Sequence, residues 1–413
     1  MPGRKDKLLR SGYSRRDFLR TAGSGAVAAS AFTAIGRSKA RAQAAPAAIN
    51  IGALYPTTGN FAQFGQDCVN AAQIAVQMVN DRGGIKSMGG AKLNLVVSDV
   101  QSDTTVTRTE TERLINRYNL SAIHGVYASA LTLIAAEVAE RHKVPLLTGS
   151  STDQLNRGGR KFVFTPFARA SQFAKAQLQM SKLVSDKPKI AVIFENTAFG
   201  TATSAGLREQ APGEGVEVVM FEPYSAGFTD AGPLVNKVKA SGANMLFSVS
   251  YLNDLILIVR TMKQMGLNIP LNGGSGGSVH PDFYKNIGTA AENLLGVAHW
   301  NHDTDSYAQE VSAAYQKKYG KFIFEYAGGL VAQTFMIADA LERAASADPK
   351  KVRDALATLD VSQGYAAMGP GGKVKFDETG RNIYGHPVGV QWQNGDLVSV
   401  FPKEEAKASL RKA

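Results

Sequence analysis

The sequence of 413 residues has only one cysteine, Cys68, so no disulfide can form within the chain. Cys68 also lies too far from the start to carry the lipid of a membrane-anchored protein. After the first 44 residues, no apolar run is long enough to span a bilayer as a helix. We therefore expect a chain held by hydrophobic cores, with Cys68 as a small buried side chain, and its length allows two such cores.

Net positive charge is small outside the N-terminal segment. The formal net charge is +11, but residues 1–44 contribute ten basic and two acidic side chains, so only +3 remains for the rest of the chain. A net charge this small gives no electrostatic basis for binding a polyanion. Nucleic acid is therefore not expected as a partner.

Motifs for catalysis and for cofactor or metal binding are also missing. The glycine-rich segment 273–277 lacks the lysine and hydroxyl of a Walker-type phosphate loop, and there is no Gly-x-Ser-x-Gly elbow or convincing acid pair. The six histidines are scattered, and His299 and His302 have no third metal ligand nearby. We expect no enzyme, no cofactor and no metal site.

Residues 1–44 have the three parts of an export signal, which are a basic start, a weakly apolar stretch over 21–35 and small residues over 40–44. The motif before the apolar stretch resembles the twin-arginine export signal, Ser14-Arg15-Arg16-Asp17-Phe18-Leu19-Arg20. That route carries folded proteins. We expect cleavage near Ala44, with Ala42 as a less favoured site, and a mature periplasmic chain.

Short apolar runs alternate with helical stretches along the mature chain, which predicts an α/β fold with mostly parallel sheets flanked by helices. The first group of predicted strands is 49–54, 93–98, 122–126 and 144–148, with helices at 63–80, 104–117 and 131–142. The rhythm restarts near Thr165, with strands at 190–194, 216–221, 245–249 and 269–271 between helices. Two successive sheets predict two lobes.

The last third of the chain predicts a return to the first lobe and an end on the second. Helical patterns cover 305–319, 326–345 and 349–359, and strand-like pieces follow at 374–376, 388–392 and 397–401. The expected hinge has three crossovers, near Thr165, near Gly296 and between Phe376 and Gly385. The predicted division is 1–44 signal peptide, 45–165 plus 297–376 lobe 1, and 166–296 plus 377–413 lobe 2.

Five segments in order resemble the type I periplasmic solute-binding proteins of ABC transporters, in particular those like the leucine/isoleucine/valine-binding protein. They are Leu54-Tyr55-Pro56-Thr57-Thr58-Gly59-Asn60-Phe61-Ala62-Gln63-Phe64-Gly65, His124-Gly125-Val126-Tyr127-Ala128-Ser129-Ala130, Val144-Pro145-Leu146-Leu147-Thr148-Gly149-Ser150-Ser151-Thr152, Phe199-Gly200, and Gly372-Lys373-Val374-Lys375-Phe376-Asp377-Glu378-Thr379-Gly380. Each segment alone is weak evidence. Their common order behind an export signal is specific.

The resemblance implies a ligand held in the cleft between the lobes, at the carboxyl ends of both sheets, where α/β proteins generally bind small molecules. It also implies an ABC permease in the inner membrane as the partner. The implied ligand is a branched-chain or other amino acid, or a related amide or carboxylate. A ligand sensor feeding a signalling receptor would use the same fold and remains the alternative.

For the ligand carboxylate, the resemblance implies hydroxyls and backbone amides of the first lobe, at Ser129, Ser150 and Thr152. Ser129 is predicted to open a helix, whose free amides and positive dipole end favour an anion. The alternative roles are a helix N-cap for Ser129 and a polar turn for Ser150 and Thr152. The two interpretations are partly compatible.

Aromatic side chains are implied to cover the ligand as the lobes close. Phe199 and Tyr251 are the expected residues from the second lobe, and Phe61 and Tyr326 from the first. Packing in the core is the competing interpretation for each of these rings.

One departure from the family concerns the ligand ammonium. Amino-acid-binding members place an acid in the loop after the strand at 269–271, where this chain has Ser275. Losing a charge-assisted partner for a buried ammonium costs roughly 2 to 5 kcal/mol. Either Asp254 or Glu195 supplies the charge from nearby, or the ligand has no ammonium group, as in amides, urea or aromatic carboxylates.

Overall fold

The computed structural model describes residues 48–412. The predicted signal peptide and its cleavage site lie outside these residues. No helix among those described is both long and apolar enough to cross a membrane.

The first half of the described chain forms a five-stranded sheet in the order β2-β1-β3-β4-β5, and every neighbouring pair is parallel. Its elements are β1 Ile49–Tyr55, α1 Ala62–Asp81, β2 Leu93–Asp99, α2 Thr104–Arg117, β3 Leu120–Gly125, α3 Ser129–His142, β4 Leu146–Leu147 and β5 Val163–Phe164. All six residues of β3 are buried, as expected for a strand covered by helices on both faces. Cys68 is a fully buried residue of α1, as predicted.

A second sheet of seven strands follows. Its first elements are α4 Ala170–Val184, β6 Lys189–Glu195, α5 Ala198–Gln210, β7 Glu217–Tyr224, α6 Gly232–Ala240, β8 Met245–Val249, α7 Leu252–Gln264, β9 Leu271–Asn272, α8 Pro281–Ile287 and β10 Leu295–Ala298. Strands β6 to β10 pair in parallel. The α/β fold with parallel sheets flanked by helices is confirmed. Sequence periodicity missed α8 and β10.

The rest of the chain adds to both layers. Its elements are α9 Ser306–Tyr319, α10 Glu325–Ala344, α11 Pro349–Ala357, β11 Asp360–Val361, β12 Val374–Lys375, β13 Val388–Gln393 and β14 Asp396–Phe401. Helix α10 packs on α1 and β3, next to the first sheet. Strands β13 and β14 extend the second sheet beside β10 as antiparallel strands, and β11 pairs with β12.

Short 3-10 helices complete the described elements: Lys86–Met88, Asp153–Asn156, Pro212–Glu214, Gly277–Val279, Gly288–Ala291 and Tyr365–Ala367. The Gly277–Val279 turn follows β9 and leads directly into α8. It places the loop after β9 at the carboxyl end of the second sheet.

The chain passes between the two sheets three times, after β5, after β10 and after β12. The first and third passages lie side by side, because the Thr165 amide donates to the Gly380 carbonyl at 2.8 Å and the Asn382 amide donates to the Thr165 carbonyl at 3.1 Å. The boundary predicted at residues 296–297 falls inside β10, which runs to Ala298. The second passage begins after Ala298 in the structure, and the division into lobes stays a prediction.

Gly65 lets α1 approach the loop after β1 closely. A Cβ at residue 65 would lie 2.0 Å from the Pro56 carbonyl oxygen, which is backbone and cannot turn away. We expect Gly65→Ala to lower the free energy of unfolding by about 1–3 kcal/mol. Gly213→Ala is the control, because a Cβ there meets nothing within 4 Å. Equal urea-unfolding midpoints for the two variants would contradict this close approach.

Candidate ligand-binding site

A cavity of about 30 Å³ lies where the carboxyl ends of the two sheets face each other. It is lined by Val126, Tyr127, Ala128, Ser129, Gly149, Ser150, Ser151, Phe199, Tyr251, Ser275, Gly276, His299, Glu325 and Tyr326. These residues follow β3 and β4 in the first sheet and β6, β8, β9 and β10 in the second, and two of them begin α10. Because the space holds only a few atoms, a small molecule can enter only if the walls move apart.

Six of the eight residues predicted to contact the ligand line this cavity: Ser129, Ser150, Phe199, Tyr251, Ser275 and Tyr326. The structure therefore brings most of the predicted set together around one space. Thr152 and Phe61 do not line it. The Thr152 hydroxyl accepts from the Gln154 amide at the start of a 3-10 helix, and Phe61 borders a neighbouring cavity of about 100 Å³.

The first-sheet side of the cavity carries hydroxyls and the start of a helix. Ser129 is the first residue of α3, and no side chain caps this helix start. The Ser150 hydroxyl donates to the Ser129 hydroxyl oxygen at 3.0 Å. First-turn amides of a helix have no partner within the helix and carry its positive dipole end. This wall suits an anionic group.

The opposite wall is aromatic. Phe199 lies in the first turn of α5 and Tyr251 directly precedes α7, with 5.5 Å between their ring centroids. Tyr127 reaches across from the end of β3, and its ring centroid is 5.9 Å from that of Tyr251 and 5.1 Å from that of Tyr326. All four rings are almost fully buried. They enclose the cavity in an environment from which water is largely excluded.

Glu325 supplies a carboxylate to the cavity. Its Oε1 accepts from the Ser275 hydroxyl at 2.6 Å and from the Gly276 amide at 3.0 Å, and its Oε2 accepts from the His299 amide at 2.6 Å. Burial raises the pKa of Glu325 to about 7 despite these three donors. No salt bridge to Glu325 occurs within residues 48–412, and no lysine or arginine lines the cavity.

A model of the periplasmic binding protein family matches residues 48–396. The chain belongs to this family. Among related sequences, it is 30% identical over 393 residues to Leu/Ile/Val-binding protein homolog 8 of Brucella melitensis, covering 89% of this chain and 94% of the relative. It is likewise 30% identical over 396 residues to homolog 7 of Brucella suis, covering 90% and 96%.

Solved structures of periplasmic binding proteins share the fold. The branched-chain amino acid transporter substrate-binding protein LivJ of Streptococcus pneumoniae, in complex with isoleucine, aligns with a TM-score of 0.74 at 24% identity, covering 85% of this chain and 97% of that one. The leucine-binding protein LivK of Thermotoga maritima aligns with a TM-score of 0.74 at 24% identity, covering 84% and 97%.

The two acids proposed from sequence to replace the missing family acid have other contacts in this periplasmic binding protein. Glu195 caps α5, because its carboxylate accepts from the Thr197 and Gly200 amides, each at 2.7 Å. Asp254 accepts from the Gly227 amide at 3.1 Å and borders the cavity beside Phe61. Neither lines the cavity that contains Ser275.

Sequence reasoning missed Glu325, His299 and Tyr127 as residues of this periplasmic binding protein's cavity. Glu325 looks in the sequence like an ordinary acid in the first turn of a helix. His299 is 4% exposed, burial lowers its pKa to about 3, and its Nδ1 has no hydrogen-bond partner among the described residues. Two signals were available: Glu325 directly precedes the predicted Tyr326, and Tyr127 lies in the segment His124–Ala130 that resembles the family.

Proposed function

We propose that this chain is the substrate-binding component of an ABC importer and that it captures an α-amino acid between its two sheets. The observation that carries the proposal is Glu325, a buried carboxylate that has no cationic partner within residues 48–412 and lies in a cavity whose other wall suits an anion. A zwitterion satisfies both walls at once. The names of the two relatives, Leu/Ile/Val-binding protein homolog 8 and homolog 7, support the same class of ligand.

The ligand carboxylate binds at the start of α3. Ser129 and Ser150 offer hydroxyls, and the first-turn amides offer donors without a positively charged side chain. Using only dipoles and hydroxyls leaves this wall neutral when the cavity is empty, so Glu325 is the one acidic side chain among the described residues that line the cavity. Thr152 supports the loop by capping the 3-10 helix.

The ligand ammonium binds Glu325. Ser275, which stands where amino-acid-binding relatives have an acid, donates to Glu325 Oε1. The carboxylate is therefore held next to the expected place although it comes from the start of α10. A carboxylate accepts about four hydrogen bonds and this one receives three, which leaves a place for an N–H donor of the ligand.

Closure around the ligand brings two lobes together. We assign residues 45–165 and about 299–376 to lobe 1 and residues 166–298 and 377–413 to lobe 2, with the three passages as the hinge. The packing of α10 on α1 and the pairing of β13 with β10 support this division. A ligand that touches both lobes stabilises the closed form by the difference between its affinities for the closed and the open forms.

We further propose that residues 1–44 are a twin-arginine signal peptide, cleaved near Ala44, and that the mature chain works in the periplasm. The closed, liganded form then docks on an ABC permease in the inner membrane.

Replacing Arg15 and Arg16 by Lys in the full-length chain should stop export by the twin-arginine route. The periplasmic yield of the variant is compared with that of the wild-type chain. Equal yields, or a wild-type yield that does not depend on the twin-arginine translocase, would refute the assignment.

Calorimetry with L-leucine and two analogues tests the proposal. The analogue 4-methylpentanoate lacks the ammonium, and 3-methylbutylamine lacks the carboxylate. We expect the mature protein to bind leucine one to one and each analogue at least about 30-fold more weakly, because each leaves one wall unmatched. Equal affinity for all three compounds, or failure of every L-amino acid to bind, would overturn the proposed ligand class.

Two substitutions test the walls separately. Ser129→Ala removes a hydroxyl at the carboxylate end, and Tyr251→Ala removes a ring that covers the ligand. We expect each to weaken leucine binding by roughly 5- to 30-fold, from a loss of about 1–2 kcal/mol. Ser346→Ala, outside the cavity, is the control. Unchanged affinity in both cavity variants, with normal far-UV circular dichroism, would refute this site.

A further inference from the structure

A buried polar cluster lies outside the cavity and joins three parts of the chain. Asp67 is at its centre: Oδ2 is 3.1 Å from His280 Nε2 and 2.9 Å from Lys321 Nζ, and Oδ1 accepts from the Tyr315 hydroxyl at 2.8 Å. Lys321 Nζ also lies 3.1 Å from Asp282 Oδ2. The five groups form one connected network.

The network connects the two sheets directly. Asp67 is on α1, which packs on β1 and β2 of the first sheet. His280 and Asp282 lie at the start of α8, between β9 and β10 of the second sheet. Lys321 follows α9 and contacts a carboxylate from each side. Any separation of the sheets at this point has to break these contacts.

The donors and acceptors around His280 fix its imidazole ring in one tautomer. His280 is fully buried, its Nδ1 accepts from the Asp282 amide at 3.1 Å, and its Nε2 therefore carries the hydrogen donated to Asp67. Gln63, also on α1, donates to the Asp282 carboxylate. The contact between α1 and α8 thus has hydrogen bonds in both directions.

Packing alone does not explain buried ions at this place. Placing charges in the interior carries a desolvation penalty that apolar residues of similar volume would avoid, and retained buried ionic groups are best attested where they specify one arrangement over another.

The cluster also adjoins the cavity, since the centroid of the Phe64 ring lies 5.0 Å from that of His280 and 4.6 Å from that of Tyr127, a cavity residue.

We propose that Asp67, His280 and Lys321 form a latch that holds the two sheets together in the closed arrangement and so sets how long the ligand stays bound. They act as positioning residues, because none of them lines the cavity. This inference rests on the proposed closure around a ligand. A latch that favours the closed form lowers the population of the open form, from which the ligand leaves. It should therefore slow the dissociation of the ligand.

Stopped-flow dissociation of L-leucine from the mature protein tests the latch. We expect Asp67→Asn, which keeps the shape but weakens the bonds to His280 and Lys321, to speed leucine release roughly 10-fold. Asp360→Asn is the matched control, because Asp360 forms an exposed ion pair with Lys375. An unchanged dissociation rate in a folded Asp67→Asn protein would overturn the proposal.

Lys321→Met serves as the second variant, because the Lys321 side chain is partly exposed and Asp67 keeps His280 and Tyr315 as hydrogen-bond partners. We expect faster leucine release for this variant too, by several-fold, with lowered but still cooperative thermal unfolding. His280→Gln retains a hydrogen-bond donor for Asp67. Its rate of leucine release should therefore lie closer to that of the wild type than the rate of Asp67→Asn does. If Asp67→Asn and Lys321→Met lost thermal stability without releasing leucine faster, the cluster would have only a structural role and the proposal would be wrong.

Hydrogen exchange separates failure of the latch from failure of the proposed function. In the unliganded protein, Asp67→Asn should raise exchange in residues 62–70 and 279–287 relative to Asp360→Asn, and leave the β3 and β6 amides protected. This result is expected even if the wild type binds no amino acid, in which case only the proposed function fails. A uniform rise in exchange, or none, would overturn the latch.

Discussion

Glu325→Gln is expected to weaken leucine binding by at least about 30-fold. The substitution keeps the shape and one of the two oxygen acceptors. It turns the other acceptor into an NH2 group that faces a backbone amide donor, and it removes the negative charge that the ligand ammonium would pair with. Removing one partner of a buried, hydrogen-bonded charge pair costs about 2 kcal/mol or more. Isothermal titration calorimetry on both proteins at pH 8 measures the ratio directly.

Two controls make this result specific to the ammonium. Glu217→Gln removes an exposed carboxylate that pairs with Lys189 and lies outside the cavity, so its leucine affinity should equal that of the wild type. The analogue 4-methylpentanoate has no ammonium, so it should bind Glu325→Gln at least as well as it binds the wild type. If both ligands lost affinity equally, Glu325 would have a structural role and the proposed ammonium contact would be wrong.

Leucine affinity is expected to fall as the pH is lowered from 8 to 5.5. Burial raises the pKa of Glu325 to about 7 in the unliganded protein, whereas pairing with an ammonium requires the ionised carboxylate. Binding is therefore coupled to proton release below pH 7, and affinity drops by up to about tenfold per pH unit. Over this range the expected loss is roughly 30-fold.

Calorimetry across this pH range in buffers of different ionisation enthalpy measures both the loss of affinity and the released proton. The pH dependence should be largely absent in Glu325→Gln, whose amide does not titrate. A wild-type affinity that stays constant from pH 8 to pH 5.5 would contradict the assignment of Glu325. A Glu325→Gln protein whose leucine affinity depends on pH as steeply as that of the wild type would also contradict this assignment.

Much of the fold could be predicted because buried parallel strands leave a local signal. The apolar run Ile190–Phe194 predicted β6 to within one residue at each end, and the limits of α2 and β8 were predicted without error. Strand β10 was missed because its sequence, Leu-Gly-Val-Ala, is short and follows a segment without clear periodicity. Helix α8 has only seven residues, too few for a helical pattern to appear.

The lining of the cavity was predictable where its residues follow strands within a few positions. Ser129, Phe199 and Tyr251 satisfy that rule, and the resemblance to known binding proteins pointed to the same loops. Glu325 does not satisfy it, because it opens a helix that packs on the first sheet and reaches Ser275, fifty residues earlier, only through the tertiary fold. No pattern in the sequence records that contact.

The latch residues were unpredictable for the same reason. Asp67 lies in α1, and His280 precedes α8 in the second sheet's layer, so their pairing depends on how two separately formed layers meet. In the sequence, Asp67 is one acid within an amphipathic helix. Its burial at 3% exposure among His280, Tyr315 and Lys321 appears only when both sheets are in place.

A crystal structure of the mature protein grown with L-leucine tests the central claim most directly. The account predicts one leucine in the cavity between the sheets, with its ammonium nitrogen about 3 Å from a Glu325 carboxylate oxygen and its carboxylate at the Ser129 and Ser150 hydroxyls. Leucine bound elsewhere, or in this cavity with its ammonium directed away from Glu325, would contradict it.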